Sequence, residues 1–588
     1  MRKAIMRWFR EWNRESGIRR AVRIAGAVAL VASLTLVSGC SMGLPTSGPV
    51  ERVSLTQNED HRVYIDPQGP SEDAEPEQIV RGFIDSLPAG PQSDGFKVAK
   101  EFLTDAARKT WKPDAKTVIY SGELQISREA DTMDLQSRQP SRVTVSISYN
   151  SIGAVDSRGV YSAEGASGSS RIELRLVKVD GQWRISSLPD GISISQSGFF
   201  QVFRQVELYQ LADSGRTLIP DQRWFAWRQW RTLAVRELLR EPANWLGDAA
   251  QSVGDGAIAL AMDSVPMSQG VVQVKLTNSV MSLTVDERAK LIRRIRLTLG
   301  DGSGEYRLSV VDDAGQDLSN ADENENISID QPPRHLYTLA NNFILSIASN
   351  NIVRLGDVAG RFDGAVGMAF TERGGAILRP DGIVECVTKD TDACGTLFGG
   401  NEASIIREGI DDEIWAVSKD SSQIMVHVNG QERRFSASMF EGRQITAFDI
   451  APEGSRAVVA LGPKKGVDGG RIVMIGISRD SNRLPSGLSS HPNTISNRSN
   501  IVSLTFYNES TVVYALRDAG SGYQQLSPGP ESPQRLPEDT RELVAGQIDQ
   551  TQSLIALDGD GMVRYARASL NASWRVLDYQ TDAITSGW

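Results

Sequence analysis

The spacing of apolar residues changes character several times along the chain. Residues 24–37 form a continuous apolar run of 14, short of the roughly 20 that a membrane-crossing helix needs. From Pro76 the spacing turns helical. Ile79, Val80, Phe83 and Leu87 share one stripe, and a second helix from Phe96 carries Val98, Phe102, Leu103 and Ala106 before ending ahead of Pro113. Strict alternation follows over 142–149. Two more runs, 171–179 and 182–185, flank Asp180-Gly181, a two-residue hairpin signal.

A different order begins near residue 204. A strand over 204–211, a turn at Asp213-Ser214-Gly215-Arg216 and a short strand over 217–220 precede a helix over 229–240, which Pro242 stops. Strands over 257–261 and 271–276 come next. A further helix starts behind Thr284, with Asp286 and Glu287 in its first turn where the helix dipole favours them. A strand over 306–311 is closed by Asp313-Ala314-Gly315. From His335 onward the texture becomes short apolar strands separated by Asp-Gly, Glu-Gly and Asn-Gly turns. Strand starts recur near Val366, Ser404, Ile445, Ile501 and Leu543 behind a unit over 336–353. These intervals approach the ~40–50 residues of a propeller blade. About six such units predict a small all-β propeller, with five or seven blades left open.

Composition adds a compartment. Arg2, Lys3, Arg7, Arg10, Arg14, Arg19, Arg20 and Arg23 precede the N-terminal apolar run against only Glu11 and Glu15, the bias of an export signal. Arg19-Arg20 match a twin-arginine signal poorly, so ordinary secretion leads. The run ends in Leu36-Val37-Ser38-Gly39-Cys40, a lipobox: small residues fit a peptidase cleft, cleavage falls between Gly39 and Cys40, and the Cys40 thiol takes a diacylglyceryl group. An uncleaved short anchor is the alternative. Losing residues 1–39, with eight Lys+Arg and two Asp+Glu, moves the net charge from −10 to −16. That acidity opposes nucleic acid and anionic headgroups, so the acyl chains must supply the membrane attachment.

The chemistry-bearing residues are few. Cys386 and Cys394 read either as a disulfide closing a polar loop, which an oxidising space favours, or as two separate thiols. Zinc would need more ligands than their neighbourhood offers. The four histidines, His61, His335, His427 and His491, are scattered, and no nucleophile elbow, His-Glu-x-x-His pair or phosphate loop occurs. Asp411-Asp412-Glu413 and Asp558-Gly559-Asp560 fall at hairpin turns and read as solvated. No enzymatic activity, metal or cofactor is therefore expected. The acidic run from Asp312 to Asp330 lacks calcium-loop spacing and reads as a solvated linker. Trp224, Trp227 and Trp230, interleaved with Arg228 and Arg231, are spaced to share one helical side. They read as a docking surface or as the cap of a core or interdomain contact.

Resemblances follow from these residues. Helices followed by a meander ending in Gly181-Gln182-Trp183-Arg184-Ile185 resemble the NTF2-like α+β cone. The strings LYQLADSGRTLIP, RELLREPANWL, GVVQVKLTN and YRLSVVDDAG, in that order, resemble the GerMN module, with Lys275 standing where many members carry an acidic or amide residue. The divisions expected are a signal peptide (1–39), a lipidated tether (40–75), an α+β domain (76–195), a GerMN domain (200–318), an acidic linker (319–333) and a propeller (334–588). Lipobox, GerMN and propeller together resemble the LpqB family of actinobacterial lipoproteins. That resemblance implies an extracytoplasmic partner of an MtrB-like sensor histidine kinase, modulating two-component signalling in envelope homeostasis and division. The alternative is a lipoprotein that binds peptidoglycan or another wall glycan without a signalling role.

Overall fold

The computed structural model describes residues 66–587, apart from 130–141, 301–305, 322–326, 328–333, 358–363, 465–468, 518–520 and gaps of one or two residues elsewhere. Gly39, Cys40, the signal segment and most of the tether lie outside the described residues. The described chain falls within one compact unit, residues 64–588.

Helix α1 (Pro76–Ser86) buries Ile79, Val80, Phe83 and Ile84. The single helix expected from Phe96 is two, α2 (Lys97–Glu101) and α3 (Asp105–Thr110). Backbone bonding causes the break: Ile185 N donates to Phe102 O (2.8 Å) and Thr104 N to Ile185 O (2.9 Å), so the chain pairs with a strand at that point. Thr104 then caps α3, its hydroxyl accepting from Ala107 N. These helices cover a sheet of β1 (Lys116–Arg128), β2 (Arg142–Asp156), β3 (Tyr161–Ser162), β4 (Gly168–Val179), β5 (Gln182–Ser187) and β6 (Ile192–Ser195). Its order is β5-β4-β2-β1-β6, with β3 paired to β2. At the β4–β5 turn Asp180 and Gly181 have φ of 50° and 83°, the two left-handed residues of a tight hairpin.

The middle region starts from α4 (Gln196–Val202), which runs into β7 (Phe203–Ala212). β8 (Leu218–Ala226) and β9 (Ala250–Gln251) flank β7, and α5 (Trp230–Leu238) packs on it. A second small sheet holds β10 (Met267–Ser268), β11 (Val271–Leu276) and, after α6 (Val285–Leu299), β12 (Arg307–Asp312), parallel to β11. Thr284 and Glu287 form a reciprocal capping box on α6. No strand forms over 257–261, contrary to expectation. Leu260 makes one bridge to Leu276, because the Thr277 hydroxyl takes the Ala259 N–H that would otherwise extend the pairing. The expected solvated linker is also pinned: Asp312 is buried, and Ile327 packs against Tyr209, Leu211 and Leu218.

Beyond Arg334 the chain forms successive antiparallel meanders. Their inner strands are Gly367–Thr371, Ala403–Glu408, Ile445–Ile450, Ile501–Asn508, Thr540–Ile548 and Ala583–Gly587. Each of these contacts the next, and Ala583–Gly587 contacts Gly367–Thr371, so the series closes on itself. Ala583–Gly587 pairs antiparallel with His335–Ala340, from His335 opposite Gly587 to Leu339 opposite Ala583. The end of the region thereby completes the sheet with which it began.

Candidate ligand cleft and the joints that build it

The Trp–Arg cluster is a joint rather than one helical face. Trp224 lies on β8 and Trp230 opens α5, because pairing with β7 holds the chain extended through Ala226. Both indoles are 3 % exposed. Trp224 Nε1 donates to Pro528 O (3.1 Å) in the C-terminal sheets. The Arg204 guanidinium stacks over Trp227 and Trp230, and Arg231 stacks over Trp230. Arg228 Nη1 donates to Ser93 O (2.7 Å) in the N-terminal region. Of the five residues expected to form an exposed docking surface, Trp224 and Trp230 are buried, Trp227 and Arg231 are half-buried and Arg228 is exposed.

Buried arginines, each ion-paired within its own region, reach across to the next region by hydrogen bonds. Arg456, fully buried, forms two bonds to Glu453 (2.6 and 3.0 Å) and donates to Pro220 O of β8 (2.9 Å) and to Glu509 O (2.8 Å). Burial works against its charge, but Glu453 and Asp221 outweigh that, and the guanidinium holds its proton more firmly than usual. Arg479 pairs with Glu413 (2.5 and 3.1 Å), while its backbone N–H donates to the Asp213 carboxylate of the middle region. Glu413 is 1 % exposed and Asp558 5 % exposed, which corrects the solvated reading for these two residues, while Asp411 and Asp560 of the same turns are exposed. Burial raises the Glu413 carboxyl against the pull of Arg479. Arg223 grips Asp221 with two bonds (2.9 and 2.6 Å) and donates to Arg158 O (2.8 Å), tying β8 to the loop after β2.

Where these joints converge, an open cleft of about 620 Å³ remains. The N-terminal sheet supplies Lys116, Asp156, Arg158 and Glu164, the segment after α5 supplies Asn244 and Trp245, and the C-terminal sheets supply His491 and Asn493. Its walls are held from behind. Asp156 Oδ1 accepts from Arg158 N and Val160 N (2.9 Å each). Arg158 Nε donates to the buried Glu237 (2.9 Å). Asn493 Nδ2 donates to Tyr161 O (3.0 Å), and Ala163 N to Thr494 O (2.7 Å). Gly476 N donates to Trp245 O (3.1 Å). Only glycine allows that approach, since a Cβ at residue 476 would stand 2.1 Å from Leu246 O. Trp245 is 4 % exposed, and its Nε1 has no hydrogen-bond partner among the described residues.

None of these lining residues stands out in the sequence, because they come from three distant segments. The nearest signal is the polar break Pro242-Ala243-Asn244 before Trp245, after a helix. Cys386 and Cys394 are joined by a disulfide, with Cα atoms 5.1 Å apart, linking neighbouring strands of one meander. Among the described residues no cluster of three His, Cys, Asp or Glu could hold a metal, and no helix is long and apolar enough to cross a membrane.

Comparison with known proteins defines the class first. Residues 69–200 match the family described as lipoprotein LpqB, N-terminal domain, and residues 388–583 match the lipoprotein LpqB beta-propeller domain. The chain is thus multidomain, with a β-propeller domain in its largely all-β C-terminal part. It is 39 % identical to Lipoprotein LpqB of Bifidobacterium longum over 96 % of its own length and all of the relative's. A second relative, Lipoprotein LpqB of Streptomyces avermitilis, is 30 % identical over 47 % of this chain and 42 % of its own. The chain belongs to the LpqB lipoprotein family.

Proposed function

We propose that this chain is a lipid-anchored protein of the extracytoplasmic membrane face that binds the sensor domain of an MtrB-like histidine kinase and modulates its two-component signalling. Cys40 carries the anchor, and the chain acts by binding rather than by catalysis. The N-terminal region is read as an NTF2-like scaffold, the middle one as a GerMN module and the C-terminal one as a six-bladed propeller. The closed series of six inner strands supports that blade number. One observation carries the reading: hydrogen bonds that cross from region to region, from Arg456 to Pro220 O, from Arg479 N to Asp213, from Arg223 to Arg158 O and from Ala163 N to Thr494 O, hold all three regions as a single body within a lipoprotein family. A body rigid within itself and tethered to the membrane presents its surfaces in a fixed arrangement relative to one another, which suits it to holding a membrane-bound kinase's outer domain.

The test is affinity recovery from membranes with a C-terminal tag, comparing the native chain with Cys40→Ala. Recovery of a sensor kinase, reduced when the lipid is lost, is expected. Recovery of no kinase from membranes that retain the lipidated chain would refute the proposal. A second reading, wall-glycan binding, is favoured by the cleft at the junction of the three regions.

A further inference from the structure

We propose that the junction cleft binds a short peptide by its two free ends, with Glu164 taking the ammonium group and Lys116 the carboxylate. The inference rests on the charges of the cleft alone and stands apart from both the kinase and the wall-glycan readings. The cleft, about 620 Å³, falls in the range of small-ligand sites, ~300–1,000 Å³. Two of its charged wall residues are already engaged: Asp156 Oδ1 accepts from two backbone amides, and Arg158 donates to Glu237 and to Glu241 O. Lys116 and Glu164 are exposed, and neither side chain makes a hydrogen bond or ion pair with protein among the described residues. One unengaged charge of each sign therefore lines the same cleft. A ligand of one sign would pair with one of them and be repelled by the other, and an uncharged ligand would displace water from both without replacing it. A ligand carrying one positive and one negative group satisfies both.

The rest of the lining fits what joins those two groups in a peptide. Ala154, Val160, Ala243 and Pro492 add apolar surface, suited to small aliphatic side chains. Asn244 is exposed in the same wall, and its amide both donates and accepts, which matches a peptide bond. A long extended peptide would instead be held by main-chain bonding to a free strand edge. Here β3 is paired with β2 on one side, and on the other Ala163 N and Ser162 Oγ donate to Thr494 O. The backbone is spent, so recognition falls to side chains that grip the ends, which limits the ligand to a short one. The walls are set beforehand by the bonds to Asp156 and Arg158 and by Asn493 Nδ2 donating to Tyr161 O. Preorganisation of this kind lowers the ordering cost of binding.

The test is calorimetric titration of the processed full chain in detergent with trialanine, beside trialanine acetylated at its amino end and trialanine amidated at its carboxyl end. Saturable binding of trialanine is expected, with each blocked form about tenfold weaker. Two variants at exposed positions, which leave the core untouched, then assign the ends. Glu164→Gln should weaken trialanine about tenfold and abolish the difference between the free and the acetylated peptide. Lys116→Met should weaken it by a similar factor and abolish the difference between the acid and the amide. Absence of saturable binding, blocked forms that bind as tightly as trialanine, or variants that keep the full discrimination between free and blocked ends each overturn the proposal. Cellobiose serves as the uncharged control. Saturable binding of cellobiose in place of trialanine would also overturn it and leave the cleft to the wall-glycan reading.

Discussion

The N-terminal core and the seam between the middle region and the C-terminal sheets are equally buried but differently built. In the first, Phe83, Phe102, Trp111, Val145, Leu176 and Ile185 pack in a continuous apolar cluster. In the second, Ile219, Leu246, Ile472 and Met474 supply an apolar bed, but Arg456–Glu453 and Arg479–Glu413 lie beside it as buried ion pairs. Apolar packing is non-directional and holds elements together without dictating one orientation. A buried pair has fixed geometry and a high cost when half of it is removed. Each pair lies within the C-terminal region, but the arginine it fixes also bonds the middle region, Arg456 Nη1 to Pro220 O and the Arg479 backbone N–H to Asp213, so the core accounts for cohesion and these anchored cross-region bonds for the placement of one region on another.

The largest effect expected from breaking that contrast is at Arg456. Arg456→Met strands Glu453 without a partner and should cost about 3–5 kcal/mol, read from urea unfolding followed by tryptophan fluorescence. Adding Glu453→Leu should restore most of the loss, because the uncompensated charge is then gone. A single substitution that costs under ~1 kcal/mol would mean the seam is held by its apolar bed alone.

Next in size is a pH dependence seated among the inner strands. Glu408 is buried and accepts from the Thr585 hydroxyl. Burial pushes its carboxyl up to about 7 from 4.5, and Asp449 adds to this while Arg334 and Thr585 oppose it. The folded form holds the proton more tightly than the unfolded one. The stabilisation is therefore complete below about pH 4.5 and is lost as pH rises through about 7, a change on the order of 3 kcal/mol. Glu408→Gln should flatten that part of the stability profile. An unchanged slope in the variant would assign the dependence to other groups.

These two sites show where reading the sequence reaches its limit. Strand starts expected near Val366, Ser404, Ile445, Ile501 and Leu543 correspond to inner strands beginning at Gly367, Ala403, Ile445, Ile501 and Thr540. Alternating apolar residues and glycine turns record local burial, so such starts are legible. The pairing of Ala583–Gly587 with His335–Ala340 joins segments nearly 250 residues apart, and no period encodes it. Likewise Glu413 reads as a turn carboxylate because its partner Arg479 is remote in sequence. Trp224 reads as helical because pairing with β7, which overrides the three-residue spacing, is a tertiary fact. The cleft is the extreme case: Lys116, Trp245 and Asn493 each look ordinary until three regions bring them together.

Smaller changes sharpen the contrast from the apolar side. Ile185→Val removes one methylene from a side chain that is fully buried against α1 and the α2–α3 break. It should cost about 1 kcal/mol by the same urea measurement, leaving the orientation of the regions unchanged. A shift in the Trp224 or Trp245 environment in this variant, seen as altered fluorescence before unfolding, would show that core and seam are coupled rather than separable.

The smallest effect isolates the role of solvent. Lys419 Nζ stands 2.6 Å from Glu402, the same distance as Arg456 Nε from Glu453. The Lys419 and Glu402 side chains are 64 % and 53 % exposed, against 0 % and 3 % for the buried pair. In water each exposed charge recovers most of what it loses when the partner is removed, so Lys419→Ala should change stability by about 0.5 kcal/mol or less. That small change should vanish as added salt screens the pair. The Arg456→Met loss should persist at the same salt, because Glu453 is then buried without access to ions or water. If both substitutions cost the same, separation alone would govern these pairs, and burial would no longer explain why the seam fixes orientation while the surface does not.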